Sequence, residues 1–325
     1  MKNKVLIFGI SSFAGSAFAR FMQDKGYLVY GTYNNSIKNI SDIKKNVNLK
    51  LIKINLEKNK NGLLRIAKKI QPTFIIDFSS ICMVNESWIY PAKYMDINCN
   101  SKISLIKNIK QLKQLKKFIY ISTPEIFGET SKPLKENLTL FNPSTPYAST
   151  KLFIENLIQN YQSLDSKRFI IARFSNFYGP GQPCYRLIPK LILSIKKNIK
   201  FPIHGNGKSK RNYIFSEDFC NGILDIIKKG ATGRTYHFSS ESLYTVKDIV
   251  FEICKQMKVN VKDFVIFEND RIGKDGVYKL DSRKTRKELK WKAKVSIKKG
   301  INITINYINN NFEKLKKEKI NFKIN

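Results

Sequence analysis

The apolar positions of this chain fall in short continuous runs separated by amphipathic stretches. Strand-like segments centre on Val5, Leu28, Leu51, Phe74, Phe118 and Phe169, and between them residues 63–70, 92–112 and 147–161 repeat apolar side chains at helical spacing. Buried runs that alternate with helices predict an α/β fold, a doubly wound parallel sheet with both faces covered. Beyond residues 179–181 the elements shorten and Gly and Pro punctuate them, with helical patterns at 186–196, 217–229 and 246–257. The expected organisation is a sheet domain over 1–180 and a smaller mixed C-terminal lobe over 181–325, with helix 216–229 and strand 235–238 able to return to the sheet. A last pattern at 297–319 is amphipathic and basic, and reads as a solvated terminal helix.

Composition narrows the class. With 325 residues, 42% of them hydrophobic, the chain can bury a core in one large domain or two smaller ones. The apolar stretch at 5–10 is too short for a secretory leader, and no run reaches the roughly 18 apolar residues of a membrane span, so a cytoplasmic protein is expected. Cys82, Cys99, Cys184, Cys220 and Cys254 are odd in number and never spaced C-x-x-C, which predicts reduced thiols and no zinc site. With only His204 and His237 present, a histidine-based triad or metal cluster has little material. The formal charge of +34 raises nucleic acid as a partner, but the lysines are spread over separate helix ends, which disfavours a nucleic-acid surface.

The candidate chemistry starts at residues 143–151, PSTPYASTK, where four-residue spacing places Tyr147 and Lys151 on one helical face. An ammonium beside a phenol favours the phenolate, which suits proton transfer in an oxidoreductase. Near the amino end, residues 4–9 (KVLIFG) read as a strand, followed by Ser12, Phe13, Gly15 and a helix, the arrangement that offers a helix N-terminus to a dinucleotide pyrophosphate. Residues 117–123 (KFIYIST) form a later strand with a hydroxyl at its carboxyl end.

These elements, in this order, resemble the extended short-chain dehydrogenase/reductases, and within them the NAD-dependent nucleotide-sugar epimerases and dehydratases with their Rossmann domain. The resemblance spans nearly the whole chain. Residues 122–128 (STPEIFG) resemble the T-D-E or T-S-E segment of the 4,6-dehydratases. It implies that Thr123 hydrogen-bonds the sugar O4, that Tyr147 takes the O4 proton, that Lys151 holds the cofactor ribose and lowers the tyrosine pKa, and that Glu125 removes the C5 proton. Pro124 stands where many members carry the acid that protonates the C6 hydroxyl, so Glu125 must shuttle that proton or water must help.

The resemblance also places the cofactor. Gly9, Ser12, Phe13 and Gly15 correspond to G-x-x-G-x-x-G, with Ser12 in place of the middle glycine and its hydroxyl within reach of a phosphate. Asn34 stands where a carboxylate usually holds the ribose of NAD, and Lys38 nearby leaves NADP open. Asn55 and Leu56 fall at the adenine position, while Phe78, Ser79 and Ser80 take the place of H-L-A-A. On the substrate side, Ser87 and Trp88 border the sugar, and residues 173–181 (RFSNFYGPG) match R-x-x-N-x-Y-G-P-G with Asn176 toward the diphosphate. Leu187 belongs to the segment that closes on the base. Arg211 and Arg271, in segments like G-x-G-x-x-x-R-D and D-R-P-G-H-D, would clamp the diphosphate.

The expected activity is a nucleotide-sugar 4,6-dehydratase, with a 4-epimerase or 4-keto reductase as the nearest alternative and a basic, non-catalytic RNA-binding protein as a remote one. The expected ligands are NAD and a nucleoside-diphosphate sugar, and the family resemblance implies a homodimer through helices 92–112 and 147–161.

Overall fold

The computed structural model describes residues 3–34, 48–130, 132–164, 168–268 and 276–320. Its centre is a parallel sheet of seven strands, in the spatial order Thr235–Phe238, Phe169–Phe174, Lys117–Ser122, Phe74–Asp77, Lys4–Phe8, Leu28–Tyr33 and Leu49–Lys53. The chain leaves Lys4–Phe8 on one side to reach Leu28–Tyr33 and crosses to Phe74–Asp77 on the other. That reversal opens a crevice beyond the carboxyl ends of the central strands, where ligands of such sheets bind.

Period-two alternation divides the core. Val5 and Ile7 face the layer built by Phe18, Met22, Phe219 and Ile223, whereas Leu6 and Phe8 face Leu63, Ala67, Leu105, Ile154 and Ile158. Each such side chain, fully buried, contributes about 1.5–3 kcal/mol by leaving water. The helix Ser216–Lys229 supplies Phe219 and Ile223 to the sheet, and Thr235–Phe238 pairs with Phe169–Phe174, so both segments pack with the first domain. A third apolar cluster joins Leu187–Lys196, Val246–Met257 and Ile297–Asn310 through Leu191, Ile192, Ile249, Ile253, Ile301 and Ile305.

The single helix expected over 92–112 is broken. Pro91–Met95 leads into a π-helical turn at Asp96–Asn100, then Ser101–Lys107 and a 3-10 turn at Ile109–Gln111. The widened turn carries Asn98, whose side-chain oxygen accepts from Ile81 N at 2.9 Å and whose amide donates to Ile81 O at 3.1 Å and Thr150 Oγ1 at 3.0 Å. A π-turn is the form such local bonding takes at functional positions, and here it ties the loop after Phe74–Asp77 to the helix of Tyr147. The terminal pattern likewise divides at Asn311 into Ile297–Asn310 and Phe312–Leu315. Among the described residues, no helix is long and apolar enough to cross a membrane.

Candidate active site

The glycine turn after Lys4–Phe8 ends in the helix Phe13–Asp24, capped by Ser12. Gly9 has φ +75°, and a Cβ there would lie 2.9 Å from the backbone of Phe78 and Ser79; one at Gly15 would collide with the Gly9 carbonyl. Two loops thus meet backbone to backbone at the crevice. Ser12 Oγ accepts from Gly15 N at 3.0 Å and donates to Gly9 O at 2.8 Å. Its one proton is therefore committed to the turn, and the expected donation to a phosphate is replaced by an N-cap. The free amides of the helix N-terminus and the absence of side chains at Gly9 and Gly15 still fit a dinucleotide pyrophosphate.

The other cofactor candidates separate by role. Phe78 turns its ring into the core against Phe18 and Phe219, both at 6.0 Å, so only its backbone faces the turn. Phe13 stacks on Phe177 at 5.1 Å. Ser79 Oγ donates to Asp77 Oδ1 at 2.5 Å, and Ser80 Oγ accepts from Lys151 at 3.2 Å. Asn34 is exposed just past Leu28–Tyr33. Asn55 Oδ1 is occupied by the amides of Glu57 and Lys58 at 3.0 and 3.3 Å, a local turn, and Leu56 packs on the second core cluster. Lys38 lies outside the described residues.

Tyr147 and Lys151 stand near the start of the helix Pro146–Ser163, which Thr145 caps through Ala148 N at 3.1 Å and which carries Pro146 at its first turn. Thr123 caps the 3-10 turn Pro124–Phe127, accepting from Glu125 N at 3.3 Å, and hydrogen-bonds the Tyr147 phenol. The turn Pro124–Phe127 packs against the helix Pro146–Ser163, and Glu125 acts electrostatically on the Tyr147 phenol. Arg173 fixes the two supports relative to each other. It is buried, pairs with Glu155 of the Tyr147 helix, and lies 4.9 Å from the ring of Phe127 in the Glu125 turn.

The electrostatics differ from the sequence expectation. Burial, then the nearby Cys82 and Glu125, push the Tyr147 phenol well above its ordinary pKa, while Arg186 and the Thr123 hydrogen bond oppose the rise. Lys151 instead donates to Ile121 O at 2.6 Å and Ser80 Oγ at 3.2 Å, and sits 4.1 Å from the centre of the Tyr120 ring. Burial pulls its own pKa down to about 8. The cation acting most strongly on Tyr147 is therefore Arg186, which also donates to Cys82 Sγ at 3.3 Å.

On the substrate side, Arg211 covers the ring of Tyr278 at 4.2 Å and donates to Lys210 O at 2.8 Å and Gly276 O at 3.1 Å. Tyr278 donates to Asn176 Oδ1 at 3.4 Å, which brings Arg211, Tyr278 and Asn176 together. Leu187 opens the helix Leu187–Lys196, with Arg186 just before it. Ser87 is a correction: fully buried, it spends its hydroxyl on Val84 O at 2.6 Å and offers a sugar nothing. Arg271 lies outside the described residues. Sequence reasoning missed Arg186 and Tyr278. The only signals were their places beside matched segments, one residue before Leu187 and three after the end of the Arg271 segment at 270–275.

Comparison with known proteins identifies the family and the fold. Residues 6–304 match the family model described as GDP-mannose 4,6 dehydratase. The human dTDP-D-glucose 4,6-dehydratase is 29% identical over 290 residues, covering 87% of this chain and 82% of that one. The crystal structure of dTDP-glucose 4,6-dehydratase from Bacillus anthracis in complex with NAD superposes with a TM-score of 0.86 at 22% identity, over 96% of this chain and 98% of that one. A UDP-glucuronic acid 4-epimerase from Bacillus cereus, in complex with UDP-glucuronic acid and NAD, gives 0.85 at 24% identity over 94% of this chain and 99% of that one.

Proposed function

The chain belongs to the GDP-mannose 4,6-dehydratase family, and on that premise we propose that it is an NAD-dependent enzyme that converts a nucleoside-diphosphate hexose to its 4-keto-6-deoxy form. The observation that carries this reading is the placing of Glu125 in a turn packed on the Tyr147 helix and capped by Thr123, because an epimerase needs the hydroxyl and the phenol but has no use for the carboxylate. Bound NAD would supply the hydride chemistry, as acceptor from C4 and donor to C6. Gly9, Gly15 and the N-terminus of Phe13–Asp24 would hold its pyrophosphate, and Ser80 and Lys151 its nicotinamide side.

Thr123 and Tyr147 address the sugar O4. The O4 proton passes to the ionised Tyr147 phenol as the C4 hydride leaves, and Arg186 is the cation placed to favour that ionisation against the burial that opposes it. With a ketone at C4 the C5 hydrogen becomes acidic, and Glu125 takes it. Pro124 has no proton to give, so the carboxyl of Glu125 hands the same proton to the departing C6 hydroxyl, which leaves as water; a proton drawn from solvent through that carboxyl then enters C5 as the hydride reaches C6, and Tyr147 returns the O4 proton to solvent. Arg211, Asn176 and Tyr278 bind the diphosphate end. Trp88, Ile89, Tyr90, Met95 and Phe153 are exposed on the helices Val84–Ile89, Pro91–Met95 and Pro146–Ser163 and around their junction, and supply the apolar face of a homodimer.

The test is incubation with NAD and a panel of nucleotide sugars under mass spectrometry in deuterated water. A product lighter by one water with deuterium at C5 supports the dehydratase; a product of unchanged mass with an inverted ring carbon replaces it with the epimerase.

A further inference from the structure

The cofactor cleft has a buried ionic floor that no step of the proposed reaction uses. Asp77 ends the central strand Phe74–Asp77 and is 1% exposed. Its Oδ1 accepts from Ser79 N at 2.8 Å and from Ser79 Oγ at 2.5 Å, which folds the chain into a turn and presents Ser80. Ser80 Oγ in turn accepts from Lys151 Nζ at 3.2 Å. In the sheet, Asp77 pairs with Tyr120, whose ring carries the Lys151 ammonium at 4.1 Å. Asp77 therefore borders Lys151 along two routes, one through the Ser79–Ser80 backbone and one across the neighbouring strand.

The second charge is Lys102, on Ser101–Lys107, with Nζ 3.8 Å from Asp77 Oδ2 and both side chains wholly enclosed. Lys102 also donates to Ser79 O at 3.1 Å and Ile97 O at 3.0 Å. Two buried lysines, each with its pKa lowered by burial and raised by Asp77, thus compete for one carboxylate around a two-serine turn. Burying such a set is unfavourable relative to an apolar one of the same volume, so packing alone does not account for it. The other titratable groups that act on this cluster are Glu155, already paired with Arg173, and Cys82, Cys99 and Tyr120.

We propose that Asp77 is a positioning residue for Lys151: it shapes the turn that receives the Lys151 hydrogen bond and supplies the carboxylate that keeps Lys151 charged in an enclosed site, with Lys102 drawing part of that carboxylate away. The proposal rests on the reading of Lys151 as the lysine of the cofactor cleft, but its electrostatic content is measurable without cofactor or sugar. Among the charges around Lys151, Asp77 is the largest that favours the ammonium and Lys102 the largest that opposes it. The two members of one buried pair should therefore move the Lys151 titration in opposite directions.

The experiment is a side-chain NMR titration of Lys151 in the ligand-free protein, its signal assigned by its loss in Lys151→Arg. Asp77→Asn should lower the midpoint by roughly one pH unit, and Lys102→Met should raise it. A merely structural role would change melting temperatures and leave the midpoint in place. An unmoved midpoint, or shifts of the same sign, overturns the proposal; if Asp77→Asn does not fold, an unmoved or lowered midpoint in Lys102→Met alone overturns it. Calorimetry of NAD binding across the same pH range separates the two readings. Affinity that follows each shifted midpoint supports both, whereas shifted midpoints with unaltered affinity uphold the pair and remove Lys151 from the cofactor.

Discussion

Lys151 donates from Nζ to the carbonyl oxygen of Ile121 across 2.6 Å. That carbonyl lies near the carboxyl end of Lys117–Ser122, the strand that leads into Thr123, so the bond locks the helix of Tyr147 to the strand that delivers the other hydroxyl. Lys151 is 3% exposed, and the burial that fixes its ammonium also makes it expensive.

Lys151→Met should abolish turnover and raise stability near neutral pH. Burial lowers the Lys151 pKa from 10.5 to about 8, so between those values the unfolded chain binds more protons than the native one. The penalty on the native state is complete below the lower value and fades as pH rises to the upper one. Thermal melts should put the methionine variant above wild type at pH 7, with the gap closing by about pH 10. A lower melting temperature at pH 7 would mean that the bonds to Ile121 and Ser80 outweigh the cost of burial.

Glu125→Gln should separate oxidation from dehydration. The amide cannot remove the C5 proton, so loss of water should fall by about 100-fold or more. Thr123 and Tyr147 are untouched, and the sugar should still be oxidised at C4 and wait there. Stopped-flow absorbance should then show reduced nicotinamide building to a plateau in the variant. Water loss at the wild-type rate would transfer the base role to another group.

Ser12 invites a paired substitution. Ser12→Ala removes the cap on Phe13–Asp24 and should cost about 1 kcal/mol of stability. Ser12→Gly restores the smaller residue, costs only a few tenths of a kcal/mol at a cap, and clears the approach to the pyrophosphate. The glycine variant should bind NAD more tightly than wild type, as read by calorimetry. Equal affinity in the two would mean that the serine side chain lies clear of the phosphates.

The sheet was legible because its strands are continuous apolar runs between glycine turns, a signal that survives in any single sequence. Thr123, Glu125, Tyr147 and Lys151 were legible because each sits in a short motif at the end of a strand or on one helical face. Arg186 and Tyr278 were not, since they reach the cleft from the lobe, and only the packing of Leu187–Lys196 and the Arg211 segment brings them there. Ser87 misled for the reverse reason: a serine in a short helix bonds its own turn as readily as a ligand. The Asp77–Lys102 pair joins residues 25 positions apart whose side chains meet only after the sheet has formed.

His237 should set the first step of acid unfolding. It is fully buried, its Nε2 lies 3.0 Å from Arg173 Nη1, and its Nδ1 lies 3.0 Å from Leu134 O. Arginine can only donate and a carbonyl can only accept, so the neutral ring carries its proton on Nδ1, and a second proton on Nε2 would face the guanidinium. Burial first and Arg173 second hold the His237 pKa well below its ordinary 6.5. As pH falls through that ordinary value the unfolded chain gains a proton that the native state refuses, so stability is full above it and declines below it, by up to about 1.4 kcal/mol per pH unit. Ordinary carboxylates titrate lower, at about 4; burial raises the carboxyl of Glu136, which accepts from His237 N, so the difference between wild type and a His237 variant, rather than the wild-type slope alone, isolates the imidazole. Urea melts from about pH 6.5 to 5 should show the decline in wild type and a flatter profile in His237→Gln, whose amide can accept from Arg173. An equal slope in the two proteins would assign the acid sensitivity to other groups.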